Sequence, residues 1–101
     1  MFIRRDLNFV DYHIEIKKDI FIRIFSEDIE DIHFEWHRDK EDRTIKVLYS
    51  DDEWKFQYDD QLPFILKEGM EFKVKKDFFH KLHKGKGVLI IYVKQTIENL
   101  L

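Results

Sequence analysis

A chain of 101 residues and 12.6 kDa has room for one hydrophobic core and not for two, so a single domain spanning residues 1–101 is expected. Its 44% hydrophobic and 16% aromatic content, with ten Phe, excludes a disordered chain in spite of the 39% of residues that are charged. The absence of Cys excludes a disulfide framework, thiolate metal ligands and a cysteine nucleophile.

Along the chain the dominant signal is alternation at period two, apolar or aromatic against charged, in short segments. His13-Ile14-Glu15-Ile16-Lys17 and Ile20-Phe21-Ile22-Arg23-Ile24-Phe25 flank Lys18-Asp19 and predict a hairpin. Ser26 to Asp31 predicts at most a helical turn capped by Ser26. His33 to Arg38 alternates as a strand and Asp39 to Arg43 follows as a charged turn. Strands are then expected at Thr44–Tyr49, Trp54–Tyr58, Pro63–Leu66 and Met70–Val74, separated by acid pairs or by Lys67-Glu68-Gly69. A last strand covers Val88 to Lys94, and the tail from Thr96 to Leu101 is a second candidate helical turn. Nothing between the strands is long enough for a crossover helix, which predicts an all-β antiparallel sandwich or barrel.

Charge is distributed unevenly. Residues 1–25 carry five bases and four acids, 26–61 five bases and thirteen acids, and 62–101 eight bases and four acids. The lysines from Lys67 to Lys86 invite a polyanion reading, but the acidic middle would repel a phosphate backbone. They are read instead as a solvated edge that blocks strand pairing, with no nucleic-acid partner. Val88 to Val93, the longest apolar run, is far short of the roughly 20 residues of a membrane helix, so a cytoplasmic protein with no membrane partner is expected.

The stretch from Gly69 to Lys84 resembles the second signature of the cupins, G-x5-P-x-G-x2-H-x3-N. Gly69 and His80 fall in register, while Lys75, Asp77 and Lys84 stand where that motif has proline, glycine and asparagine. For the first signature, G-x5-H-x-H-x3,4-E-x6-G, the best register puts His37 at the first histidine, Asp39 at the second, Arg43 at the glutamate and Ser50 at the last glycine. The likeness covers about residues 33 to 95 and extends to small stand-alone cupin-like proteins of bacteria and phages. It implies an antiparallel jelly-roll, the double-stranded β-helix barrel, with a ligand pocket inside.

The resemblance also implies a metal set of His37, Asp39 and His80. Two imidazoles and a carboxylate suit iron, manganese, nickel or zinc and leave coordination positions open. His33 with His37 is a second set without a family likeness, and His13 and His83 read as structural. The H-x-D…H pattern also resembles the triad of oxygenases that use 2-oxoglutarate, which need a basic residue such as Lys84 or Lys86. Trp36, Arg43, Trp54, Phe56 and Tyr58 are the candidate ligand pocket, with core packing the competing role for the aromatics. No organic cofactor is expected, and strand edges suggest a homodimer. Two classes stay open: a barrel binding a small molecule and a metal, whose reaction no nucleophile pair, phosphate loop or zinc-finger spacing specifies, or a non-catalytic binding or assembly domain without a metal.

Overall fold

The computed structural model describes residues 2–4, 12–29 and 34–96. Nine strands form in chain order: β1 (Phe2–Arg4), β2 (Tyr12–Lys17), β3 (Ile20–Ser26), β4 (Arg43–Ser50), β5 (Lys55–Tyr58), β6 (Phe64–Ile65), β7 (Glu71–Val74), β8 (His80–His83) and β9 (Val88–Gln95). They make two antiparallel sheets, a six-stranded one in the order β1-β2-β3-β9-β4-β7 and a three-stranded one in the order β6-β5-β8. Among the described residues no helix forms and none is long and apolar enough to cross a membrane. Among the described residues no ladder joins the two sheets into a continuous closed barrel.

The core lies between the sheets and follows from strand periodicity. On β3 Phe21 and Phe25 turn inward, on β4 Ile45 and Val47, and on β9 Leu89, Ile91 and Val93. β9 is central, paired with β3 from Ile20↔Lys94 to Ser26↔Val88 and with β4 from Arg43↔Gln95 to Ser50↔Leu89. A bulge at Leu48 shifts the β4 register between Val47 and Tyr49 and leaves Leu48 and Tyr49 exposed.

Three expectations change. Ser26 closes β3 and its hydroxyl accepts the Asp28 amide at 3.2 Å, a turn rather than a helix start. The predicted strand His33–Arg38 reduces to one bridge, His37↔His80, because Phe34 is buried whereas Glu35, Trp36 and His37 are exposed, so alternation fails there. His80–His83, expected as a loop, is a strand. His33 and the tail beyond Thr96 lie outside the described residues.

A tight clamp fixes the turn into β9. Asp51 accepts the Val88 amide at 2.8 Å and the Tyr49 hydroxyl at 2.5 Å. Gly87 has φ +72°, and a Cβ there would sit 2.2 Å from Asp51 Oδ2. Gly87→Ala is therefore expected to cost about 1–3 kcal/mol by strain and displacement of Asp51, read by denaturant unfolding. A variant as stable as the parent would show that the turn relaxes freely.

Candidate metal and ligand site

His37 and His80 meet across the bridge that adds residues 34–39 to the edge of β8. Each donates its amide to the other's carbonyl, at 3.0 Å from His37 and 2.9 Å from His80, and their rings are 4.4 Å apart. Asp39 follows two residues later, its carbonyl accepting the Asp77 amide at 2.8 Å, and the Asp42 carboxylate holds the Lys76 amide at 2.8 Å. These contacts bind the 75–78 turn to the 39–42 turn and deliver His80 opposite Asp39. Asp77 takes φ +65°, a left-handed conformation that Asp tolerates better than most residues.

One ligand atom each from His37, Asp39 and His80 lies within 4.8 Å of the others. His80 Nδ1 is 2.9 Å from the Phe78 carbonyl and His37 Nδ1 is 3.1 Å from the Glu35 carbonyl. A carbonyl only accepts, so each Nδ1 carries the proton, and in the neutral ring Nε2 carries the lone pair. His80 Nε2 then faces Asp39 Oδ2 at 3.3 Å. Metal bonds of about 2.1 Å at angles between octahedral and tetrahedral separate two ligand atoms by about 3.0–3.4 Å. The His80–Asp39 pair has the separation of two ligands of one divalent ion, and His37 stands close enough to complete the set with a small shift of its exposed ring.

Arg43 stands behind the carboxylate, not among the ligands. Its guanidinium lies 3.5 Å from Asp39 Oδ1 and 3.0 Å from Glu41, which leaves Oδ2 on the histidine side. Burial alone would raise the Asp39 pKa, but the His80 hydrogen bond and the Arg43 charge outweigh it and hold the carboxyl below its usual value. Burial, with the charges of His80 and Arg43, keeps the His37 imidazole below its ordinary value against the Glu35 carbonyl and Asp39. The Asp39 shift favours the carboxylate through a hydrogen bond that His80 Nε2 donates, and the His37 shift favours its neutral ring.

The triad opens on a cavity of about 360 Å³ between the sheets. Phe25, Ile45, Phe72, Leu89, Ile91 and Val93 form its six-stranded wall, and Phe34, Phe56, Leu66 and Leu82 face them. Of the predicted pocket residues, Arg43 and Phe56 line it and the other three do not. Trp36 is 41% exposed, its ring 5.8 Å from the Lys81 ammonium. Trp54 is fully buried between Phe25 and Phe34, with its indole N–H donated to the Lys86 carbonyl at 3.0 Å, so it serves as core. Tyr58 packs on Phe56 and Phe64 and donates its hydroxyl to the Lys73 carbonyl.

Neither Lys84 nor Lys86 lines the cavity; Lys84 donates to the Glu27 carbonyl at 2.9 Å and Lys86 is 3.9 Å from Glu53. Its basic residues are instead Arg23, Arg38 and Arg43. Arg23 was legible in principle, because it occupies the inward phase of β3 between Phe21 and Phe25. His13 is buried against Phe21, with Arg23 Nε 3.3 Å from its Nδ1, and His83 pairs with Gln57 at 2.8 Å, so neither joins the triad. The exposed rings of Phe78 and Phe79 are faced by Lys75 and Arg38 of the same chain.

No protein-family model and no curated protein matches the chain. Solved structures share its fold, two of which are the following. Protein NMB1881 from Neisseria meningitidis aligns over 83% of this chain and 80% of its own at 15% identity and a TM-score of 0.58. The conserved SPY1581 protein of unknown function from Streptococcus pyogenes aligns over 86% and 73% at 14% identity and a TM-score of 0.59.

Proposed function

We propose that this chain is a cupin-like jelly roll that holds a divalent transition metal through His37, Asp39 and His80 and a small molecule in the adjoining cavity. One observation carries the metal reading: His80 Nε2 faces Asp39 Oδ2 at 3.3 Å while its Nδ1 is committed to the Phe78 carbonyl. Two acceptors so placed repel unless a cation lies between them. A proton would answer the same need by making His80 an imidazolium paired with Asp39, which is the metal-free, non-catalytic alternative. The convergence of His37, whose Nδ1 is also anchored to a carbonyl, favours the metal, because an ion pair does not require a second oriented imidazole.

The strand order supports the jelly roll. Counting the 34–39 segment as the strand beside β8, the chain passes from β3 to that segment, to β4, to β5 and β6, back to β7, across to β8 and back to β9. This gives two four-stranded layers, β3-β9-β4-β7 and the 34–39 segment-β8-β5-β6, as in a jelly roll. Asp77 has a positive φ at the position where the cupin signature has glycine, so the register survives in backbone conformation where it is lost in residue type.

A bound ion would supply Lewis acidity and open coordination positions for a ligand oxygen or nitrogen. The chain's own residues divide the remaining work. Asp39 and the two imidazoles hold the ion, Arg43 fixes the carboxylate, and the Phe and aliphatic walls exclude water from the ligand's body.

Calorimetric titration of metal-free protein, purified without a histidine tag, with iron(II), manganese(II), nickel(II) and zinc(II) tests the reading. One ion per chain is expected, with a melting temperature raised by about 10 °C or more at a hundredfold excess over Kd. No bound ion and no thermal shift with any of the four would leave the proton reading in its place.

A further inference from the structure

The cavity sorts its lining by polarity. Apart from Arg23, its polar side chains belong to the triad or adjoin it: Arg43 is paired with Asp39 at 3.5 Å, and Arg38 lies between His37 and Asp39 in the chain, its guanidinium 5.2 Å from the Phe79 ring. Arg23 commits its head to His13, with Nε 3.3 Å from Nδ1, and to the face of Phe21 at 4.7 Å, and neither partner lines the cavity. Beyond the triad the wall is made of Phe and aliphatic side chains. On β9 it runs from Val93, opposite Ile45, to Leu89, opposite Phe25, about 13 Å of strand. Main-chain groups along that wall are taken up by the ladders that β9 makes with β3 and β4, so they offer a ligand no hydrogen bond.

We infer that the cavity selects a small molecule with a single nitrogen or oxygen donor at the triad end and an apolar body, about the size of an aromatic ring, against Phe25, Phe34, Leu89 and Ile91. The body is set by the wall: a sugar, a nucleoside or a free amino acid brings polar groups to side chains that cannot pair with them, at a cost of about tenfold in affinity for each. The size is set by the volume. At about 30 Å³ for each water of the liquid, 360 Å³ holds a ligand of about ten to twelve non-hydrogen atoms. The inference rests on the reading of this cavity as the ligand site and adds the chemistry that the site admits.

Imidazole, 4-phenylimidazole and 4-(hydroxymethyl)imidazole share one donor head and differ in the body. The experiment titrates each into the full chain, zinc-loaded and metal-free, and follows the side-chain methyl signals by NMR. 4-Phenylimidazole is expected to bind about a hundredfold more tightly than imidazole through burial of its ring, and the ring current should shift the Ile91 and Leu89 methyl signals. The hydroxymethyl compound is expected to bind no more tightly than imidazole. Because the phenyl advantage comes from the walls, it is expected with or without zinc. Ile91→Phe narrows the cavity and is expected to reduce the advantage to less than about tenfold; if its melt shows that it does not fold, the three compounds on the parent chain decide. No phenyl advantage in either metal state, equally tight binding of the hydroxymethyl compound, unmoved Ile91 and Leu89 methyls, or an advantage that a folded Ile91→Phe leaves intact overturns the inference. Zinc uptake is read separately, so uptake without a phenyl advantage removes this inference alone, and a phenyl advantage without uptake removes the metal reading alone.

Discussion

If His37, Asp39 and His80 hold a metal as proposed, His80→Ala is expected to abolish tight binding, with a rise in Kd of about a hundredfold or more, because it removes one of the three proposed ligands. His80 is also 3% exposed and stacked on Phe56 at 5.3 Å, so its truncation opens a void and lowers the melting temperature of the metal-free protein. His37→Ala separates the two effects in part, since His37 lies at the surface with its ring against His80, and its loss should weaken metal binding at a smaller cost to metal-free stability than the loss of His80. Competition calorimetry on both variants measures the result, and retention of parental affinity by either one would remove that residue from the ligand set. Acid should act in the same direction. The His37 pKa is lowered on folding, so the neutral ring is favoured in the folded state. Its contribution to stability is present above the unfolded value of 6.5 and is lost as pH falls through the lower folded value, where protons also displace the metal.

Trp54→Ala is expected to produce the largest loss of stability of any single truncation, about 3–5 kcal/mol out of the 5–15 kcal/mol typical of a domain. The indole is 0% exposed, lies 6.3 Å from Phe25 and 6.2 Å from Phe34, and closes the inter-sheet core beside the cavity. Thermal melts should fall by about 12 °C or more, since each kcal/mol is worth about 4–8 °C in a domain of this size. Trp54→Phe keeps most of the apolar volume but leaves the Lys86 carbonyl without its donor, and should cost about 1–3 kcal/mol. A Trp54→Ala protein that melts within a few degrees of the parent would show that this end of the core collapses around the gap.

The large sheet was legible because its strands alternate cleanly. The predicted hairpin at 13–17 and 20–25 and the strands at 44–49 and 88–94 all match observed strands to within a residue or two at either end. β8 was hidden by its residue types. In His80-Lys81-Leu82-His83 the inward pair is His80 and Leu82, and a histidine in a core phase does not register as apolar. The 34–39 segment misled in the opposite way: Phe34 and Trp36 suggested one inward face, but only Phe34 is buried, and His37 and Asp39 turn toward the cavity. That removes the conflict between core facing and ligand facing that strict alternation would impose. The cavity's arginines were the harder case, since an inward charge on a strand looks like a flaw in the pattern until a site is known to lie beneath it.

The reciprocal pair of amide bonds between His37 and His80 has a consequence for how such a site is written in a chain. It sets the separation of the two imidazoles by main-chain geometry, whatever the side chains of the neighbouring Trp36, Arg38, Phe79 and Lys81. Neither amide bond depends on which side chains flank the two histidines. A linear consensus is thus a poor record of this centre, and the fixed quantity is the two-residue ladder that joins positions 43 apart in the chain.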